Sequence, residues 1–308
     1  MKSTFITAAY NCILTSLLFV IPATTCEAQK DIVSKSLVKN GETPILISNQ
    51  FSFTEGPAAD KKGNVYFTDQ PNNKIWKYDT KGRLTLYMDK AGRSNGMYFD
   101  AKGNLLTAAD EKNELWLIDK KKQVTVLVNG VDGKLLNGPN DLWIHPAGGI
   151  YFTDPYYQRP WWTRQSSELE GKFVYFLPAG SSNPIAVVTN LKSPNGIIGT
   201  PDGKYLYVAD IGDSKTYRYT IEADGKLSEE KLMIKMGSDG MTIDNKGNIY
   251  LTGKGVTIID PSGNIIENIP IDAKWTANVT FGGRKNNMLF ITASEKVYRL
   301  NMNVKGGN

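Results

Sequence analysis

The 308 residues contain only two cysteines and one histidine. One histidine excludes a His-His dyad and a histidine-rich zinc site. Two cysteines allow at most one disulfide, so a disulfide scaffold is excluded as well. Charge of one sign is also scarce: 36 Lys and Arg stand against 31 Asp and Glu, a net +5 spread along the chain. That excess gives no argument for a nucleic-acid partner. No segment sustains a 3.6-residue apolar period, so almost no helix is expected. What remains is an ordinary soluble composition, 41% hydrophobic and 10% aromatic, with 29 glycines and 15 tyrosines.

Residues 1–28 read as a signal peptide. Lys2 is the only charge before Glu27, and the apolar run Cys12–Ala23 is shorter than the about 20 residues a membrane-spanning helix needs. Cys26-Glu27-Ala28 places small residues at −3 and −1 of a cleavage site after Ala28. A lipidated Cys26 and an uncleaved anchor are the rival readings. Both cysteines leave with this leader, which suits an exported protein, periplasmic or secreted, with no membrane partner after cleavage.

The rest, residues 29–308, repeats itself. GNVYFTD (63–69), GNLLTAAD (103–110), GGIYFTDP (148–155), GKYLYVAD (203–210) and GNIYLTG (247–253) share one pattern, and NNMLFITAS (286–294) is a weaker sixth copy. The first five start 40, 45, 55 and 44 residues apart. A second apolar segment follows each, and often a third. A period near 45 residues with several short strands is the spacing of propeller blades. The expected fold is therefore all-β, a six-bladed β-propeller. The last repeat runs out of chain early, and ILIS (45–48) has no partner of its own; it is expected to close the ring as an outer strand. An insertion at 156–171 stretches one repeat and holds Tyr156, Tyr157, Trp161 and Trp162 with Arg159 and Arg164. Either it is a lid whose aromatics, Tyr156 and Trp161 foremost, stack on a sugar ring, or it is a flap packed on its neighbouring blade.

The chemistry lies upstream of each phrase. Glu55-Gly56-Pro57, Asn95-Gly96-Met97, Asn140-Asp141-Leu142, Asn195-Gly196-Ile197, Asp239-Gly240-Met241 and Asn278-Val279 each put a carboxylate or carboxamide just before the first strand of a repeat. In a propeller these positions meet at the central channel. Glu, Asp and Asn oxygens are hard ligands, suited to one divalent cation: calcium first, with magnesium, manganese or zinc as alternatives. Glu55 and Asp239 supply the two negative charges that such an ion balances, and Asn140 and Asn195 add neutral oxygens. Asn-Gly and Asp-Gly are also turn signals, so a single pair would mean little. His145, in LWIHPAGG, reads as structural.

The motifs FTEGP (53–57), RSNGM (93–97), NGPNDLWIHPAGGIYFTDP (137–155), SPNGI (193–197), SDGM (238–241) and ANVTFGG (277–283) resemble, in this order, the senescence-marker-protein/gluconolactonase family. That family includes regucalcin and is related to diisopropyl fluorophosphatase. The resemblance implies a six-bladed propeller with one divalent metal, and lactone hydrolysis as a common activity. It implies metal ligation by Glu55, Asn195 and Asp239, with Asn140 on the metal or the substrate. Arg93 and Asn95 fall in a further family motif whose roles vary. It also implies that Asp239 acts as general base. The long insertion departs from shorter members and leaves the substrate open.

The expected function is metal-dependent opening of a small sugar-derived lactone, with Arg93 or Arg159 holding substrate hydroxyls or a carboxylate and Asn95 and Asn140 beside it. Two alternatives stay open. One is a non-catalytic propeller that binds a glycan or protein around a structural metal. The other is a phosphotriester or fluorophosphate hydrolase on the same site.

Overall fold

The computed structural model of the protein describes Met1, Thr4 and residues 36–307. The leader, with Cys12, Cys26 and its cleavage site, lies outside the described residues apart from Met1 and Thr4. Residues 36–307 form one compact unit. Twenty-four strands make six four-stranded antiparallel sheets, and the only helical turn among the described residues is a 3-10 turn at Gln70–Asn72. The sheets are the blades of a six-bladed propeller. The sixth takes its outer strand from Ile45–Ser48, which pairs with Lys296–Asn301. This joins the two ends of the ring and covers an edge that would otherwise be free to pair with another chain.

One expectation needs correcting. The repeating phrases are not the innermost strands. Each forms the second strand of its blade, such as Val65–Asp69 and Ile150–Asp154, where every residue is buried. The innermost strands are Thr54–Ala59, Ser94–Phe99, Leu142–Ile144, Pro194–Gly199, Met241–Ile243 and Asn278–Gly282, which contain the candidate ligands or, for Asn140 and Asp239, begin two residues after them. Their glycines and prolines read as turns because strands usually avoid both residues. The structure accommodates them by bulging. Register slips at Glu55/Ala58, Ser94/Met97 and Pro194/Ile197. A bulge turns a side chain away from the normal pleat, here Glu55, Asn95 and Asn195.

Apolar packing between blades joins the ring. Phe67 of the first blade meets Phe290 of the sixth at 5.4 Å between ring centres. Trp143 and Tyr151 of the third blade pack with Ile198 and Tyr207 of the fourth. Each such buried side chain contributes on the order of 2 kcal/mol. The threonine of the repeating phrase ties neighbours together. Thr68 donates to Asn95 O at 3.2 Å, Thr153 to Asn195 O at 2.8 Å and Thr252 to Ala277 O at 2.8 Å. Each bond holds the inner strand of the next blade by its backbone, at or next to a candidate ligand position.

Candidate metal centre and active site

The six inner-strand entrances converge. Gly96 N–H donates to Asn140 O at 2.7 Å, linking the second and third blades. Asn278 of the sixth blade reaches across the axis and donates to Asp141 Oδ2 of the third at 3.3 Å. The glycines permit this closeness. A Cβ on Gly56, whose φ is +38°, would sit 2.0 Å from Asn95 O. On Gly96 it would sit 2.3 Å from Asp141 Oδ1, and on Gly240 1.9 Å from Asn278 Cγ. Beyond the Asp141–Asn278 pair the channel widens into a cavity of about 470 Å³ lined by Met97, Trp143, Met241 and Phe281 among others.

Glu55, Asn95, Asn140 and Asn195 are all buried. Burial raises the Glu55 carboxyl well above its ordinary range, and the charges of Asp239 and Asp141 raise it further. Burial likewise pushes Asp239 up to about 6, against the hydrogen bond from Trp275, the nearby Asn195 amide and the charge of Arg159. Asp141 rises to about 7, again through burial. Mutually repelling carboxylates at the end of a channel are a site that a cation would relieve. Two carboxamide oxygens, Asn95 Oδ1 and Asn195 Oδ1, are buried and accept no hydrogen bond. Leaving such an oxygen unsatisfied costs about 1–3 kcal/mol, and a hard divalent ion is the partner that suits it. The residues therefore fit the metal that the motifs imply. Among the described residues no three His, Cys, Asp or Glu form a metal-ligating group; the donors here are mixed carboxylate and carboxamide.

The insertion divides in two. Trp162 is buried, donates its indole N–H to Asp110 O at 2.8 Å and lies under Arg164 at 4.3 Å. Tyr156 packs beside Trp162, 5.8 Å between ring centres, and bonds Gln158, so it stays within the insertion. These contacts are those of a packed flap. Tyr157 reaches the centre, where its hydroxyl accepts a hydrogen bond from Asn195 Nδ2 at 3.1 Å. Trp161 is half-buried with the Arg93 guanidinium 4.5 Å from its ring and that of Arg159 at 5.6 Å. Arg159 in turn pairs with the buried Asp110 at 2.7 Å. His145 accepts from Ala147 N–H and meets Gly203 O at 3.1 Å, both backbone groups in turns, which is a structural setting.

Three residues beside the candidate ligand positions carry no role in the sequence reading. Tyr157 appears there only as one aromatic of four. Asp141 stands beside Asn140 in the register, but nothing in the sequence separates the roles of the two. Trp275, whose indole N–H donates to Asp239 Oδ2 at 2.6 Å, has a signal only in hindsight, as an aromatic three places before Asn278.

The model of the SMP-30/Gluconolactonase/LRE-like region matches residues 53–295, from just before Glu55 to past the sixth repeat. The chain belongs to this family. It is 27% identical over 292 residues to a gluconolactonase of Zymomonas mobilis, covering 84% of this chain and 81% of that one. A solved structure of a Xanthomonas campestris gluconolactonase superposes with a TM-score of 0.81 at 26% identity, covering 86% of this chain and 91% of that one. Agrobacterium tumefaciens regucalcin, at 20% identity and a TM-score of 0.71, shares the fold and covers 86% of this chain and 95% of its own.

Proposed function

We propose that the protein is a lactonase that opens a sugar-derived lactone with the help of one divalent cation, calcium before other hard ions. The observation that carries this is the unpartnered, buried Asn195 oxygen beside the carboxylates of Glu55 and Asp239. The similarity to gluconolactonases over more than four fifths of the chain supports the choice of substrate class.

Glu55, Asn195 and Asp239 would hold the cation, with Asn140 as the adjoining oxygen. Bound there, the ion would supply Lewis-acid polarisation of the lactone carbonyl and acidify a water. Asp239 takes the proton of the attacking water on its carboxylate. Trp275 holds that carboxylate in its charged, accepting form by donating to it. Arg93, Asn95 and Trp161 would bind the sugar hydroxyls at the mouth, and the Asp110–Arg159 pair braces this wall. The leader would send the mature chain out of the cytoplasm.

Acid release from glucono-δ-lactone tests the reading. It should require a divalent ion, and collapse in Asp239→Ala and Glu55→Gln. Strong hydrolysis after full chelation would sink it, and binding of lactone without turnover would favour a non-catalytic propeller. N-terminal sequencing of the exported chain, with Gln29 first, tests the leader.

A further inference from the structure

An asparagine can serve as a metal ligand only if its oxygen, not its nitrogen, faces the ion. The two orientations differ by a half-turn of one side-chain torsion and are nearly equal in shape, so neighbouring groups must choose between them. Asn195 shows which groups do so. Its Nδ2 donates to the Tyr157 hydroxyl at 3.1 Å. With the nitrogen turned toward Tyr157, Oδ1 is left buried and without a partner.

Tyr157 is itself held. The Arg159 guanidinium lies 5.6 Å from its ring centre, Arg159 is anchored to Asp110 at 2.7 Å, and the Asp110 side chain is 2% exposed. Ser193 Oγ adds a long contact to the Tyr157 hydroxyl at 3.5 Å.

We propose that Tyr157 is a positioning residue that locks the Asn195 carboxamide with its oxygen toward the cation, so that the 156–171 insertion sets the metal affinity of the centre. This rests on the metal centre of the preceding section but not on the substrate assigned to it. Groups that orient a metal ligand in this way are worth about 10–100-fold in affinity.

The test is calorimetric titration of the full mature chain with calcium. Tyr157→Phe removes one oxygen and keeps the ring, so the metal-free melting temperature should stay within about 2 °C of wild type while the calcium Kd rises about tenfold. Asn195→Asp supplies the control. A carboxylate presents an oxygen in either orientation, so adding Tyr157→Phe to Asn195→Asp should cost little further affinity. Wild-type calcium affinity in Tyr157→Phe would overturn the proposal. So would a penalty of equal size in the Asn195→Asp background, because that is the mark of a purely structural tyrosine. No binding of calcium or manganese by the wild-type chain would overturn both this proposal and the metal centre. The expected affinities in a protein that opens no lactone would support this proposal and remove only the lactonase reading.

Discussion

Trp275 donates its indole N–H to Asp239 Oδ2 at 2.6 Å from the loop leading into the sixth blade. Ser294 fixes that loop, accepting from Trp275 N–H at 3.1 Å and donating to its carbonyl at 3.2 Å. A donor aimed at a carboxylate favours the charged form, and here it opposes the burial that raises Asp239. In Trp275→Phe that donor is gone and Asp239 holds its proton to higher pH. The acid limb of the kcat/KM profile for lactone opening should move up by about one pH unit. An unmoved limb would mean that Asp239 is not the group titrating in the rate.

Gly240 sits between Asp239 and the sixth blade, where an added Cβ would lie 1.9 Å from Asn278 Cγ. Its φ is not in the left-handed region, so the residue is glycine for space and not for a turn. Gly180 is the opposite case, with φ +77° and nothing within 4 Å of an added Cβ. Gly240→Ala should destabilise the protein by about 2–3 kcal/mol through overpacking and weaken metal binding by displacing Asn278. Gly180→Ala should cost about 1–2 kcal/mol, from the backbone alone, and leave metal binding intact. Denaturant unfolding with calcium titration of both variants separates these effects.

The same glycines explain what could be read without coordinates. The 45-residue period exposed the six blades because each second strand repeats one buried pattern. The inner strands were concealed because Asn95-Gly96, Asn195-Gly196 and Asp239-Gly240 look like turns, although none of the three glycines has a positive φ. The candidate ligand positions were legible as a set because they recur in register. Tyr157 and Trp275 were not, since each reaches its partner from a loop of a different blade and no local pattern records where that loop folds.

The two tryptophans of the insertion should behave differently. Trp162 is buried against Asp110 and Gly138, where a Cβ on the glycine would come within 2.7 Å of the indole. Trp162→Ala should cost about 3–5 kcal/mol of stability. Trp161, half-buried with two guanidinium groups near its ring, should cost about 1 kcal/mol or less when replaced by alanine, but raise KM for the lactone several-fold with kcat little changed. Equal losses of stability would mean that the whole insertion is a structural flap.

Acid should add a stabilising contribution from the central carboxyls of the metal-free protein and weaken the effect of calcium. Burial raises Asp239 to about 6, Asp141 to about 7 and Glu55 well above its usual range, whereas in the unfolded chain such groups titrate near about 4. Between those values the folded state holds protons that the unfolded state has released, so these groups make stability fall as pH rises through that window. Calcium needs the same carboxylates ionised and must displace those protons at low pH. The calcium-induced rise in Tm should therefore be larger at pH 8 than at pH 5.5, while the metal-free Tm should carry a contribution of the opposite slope. Calcium shifts of equal size at the two pH values would show that the ion binds away from Glu55 and Asp239.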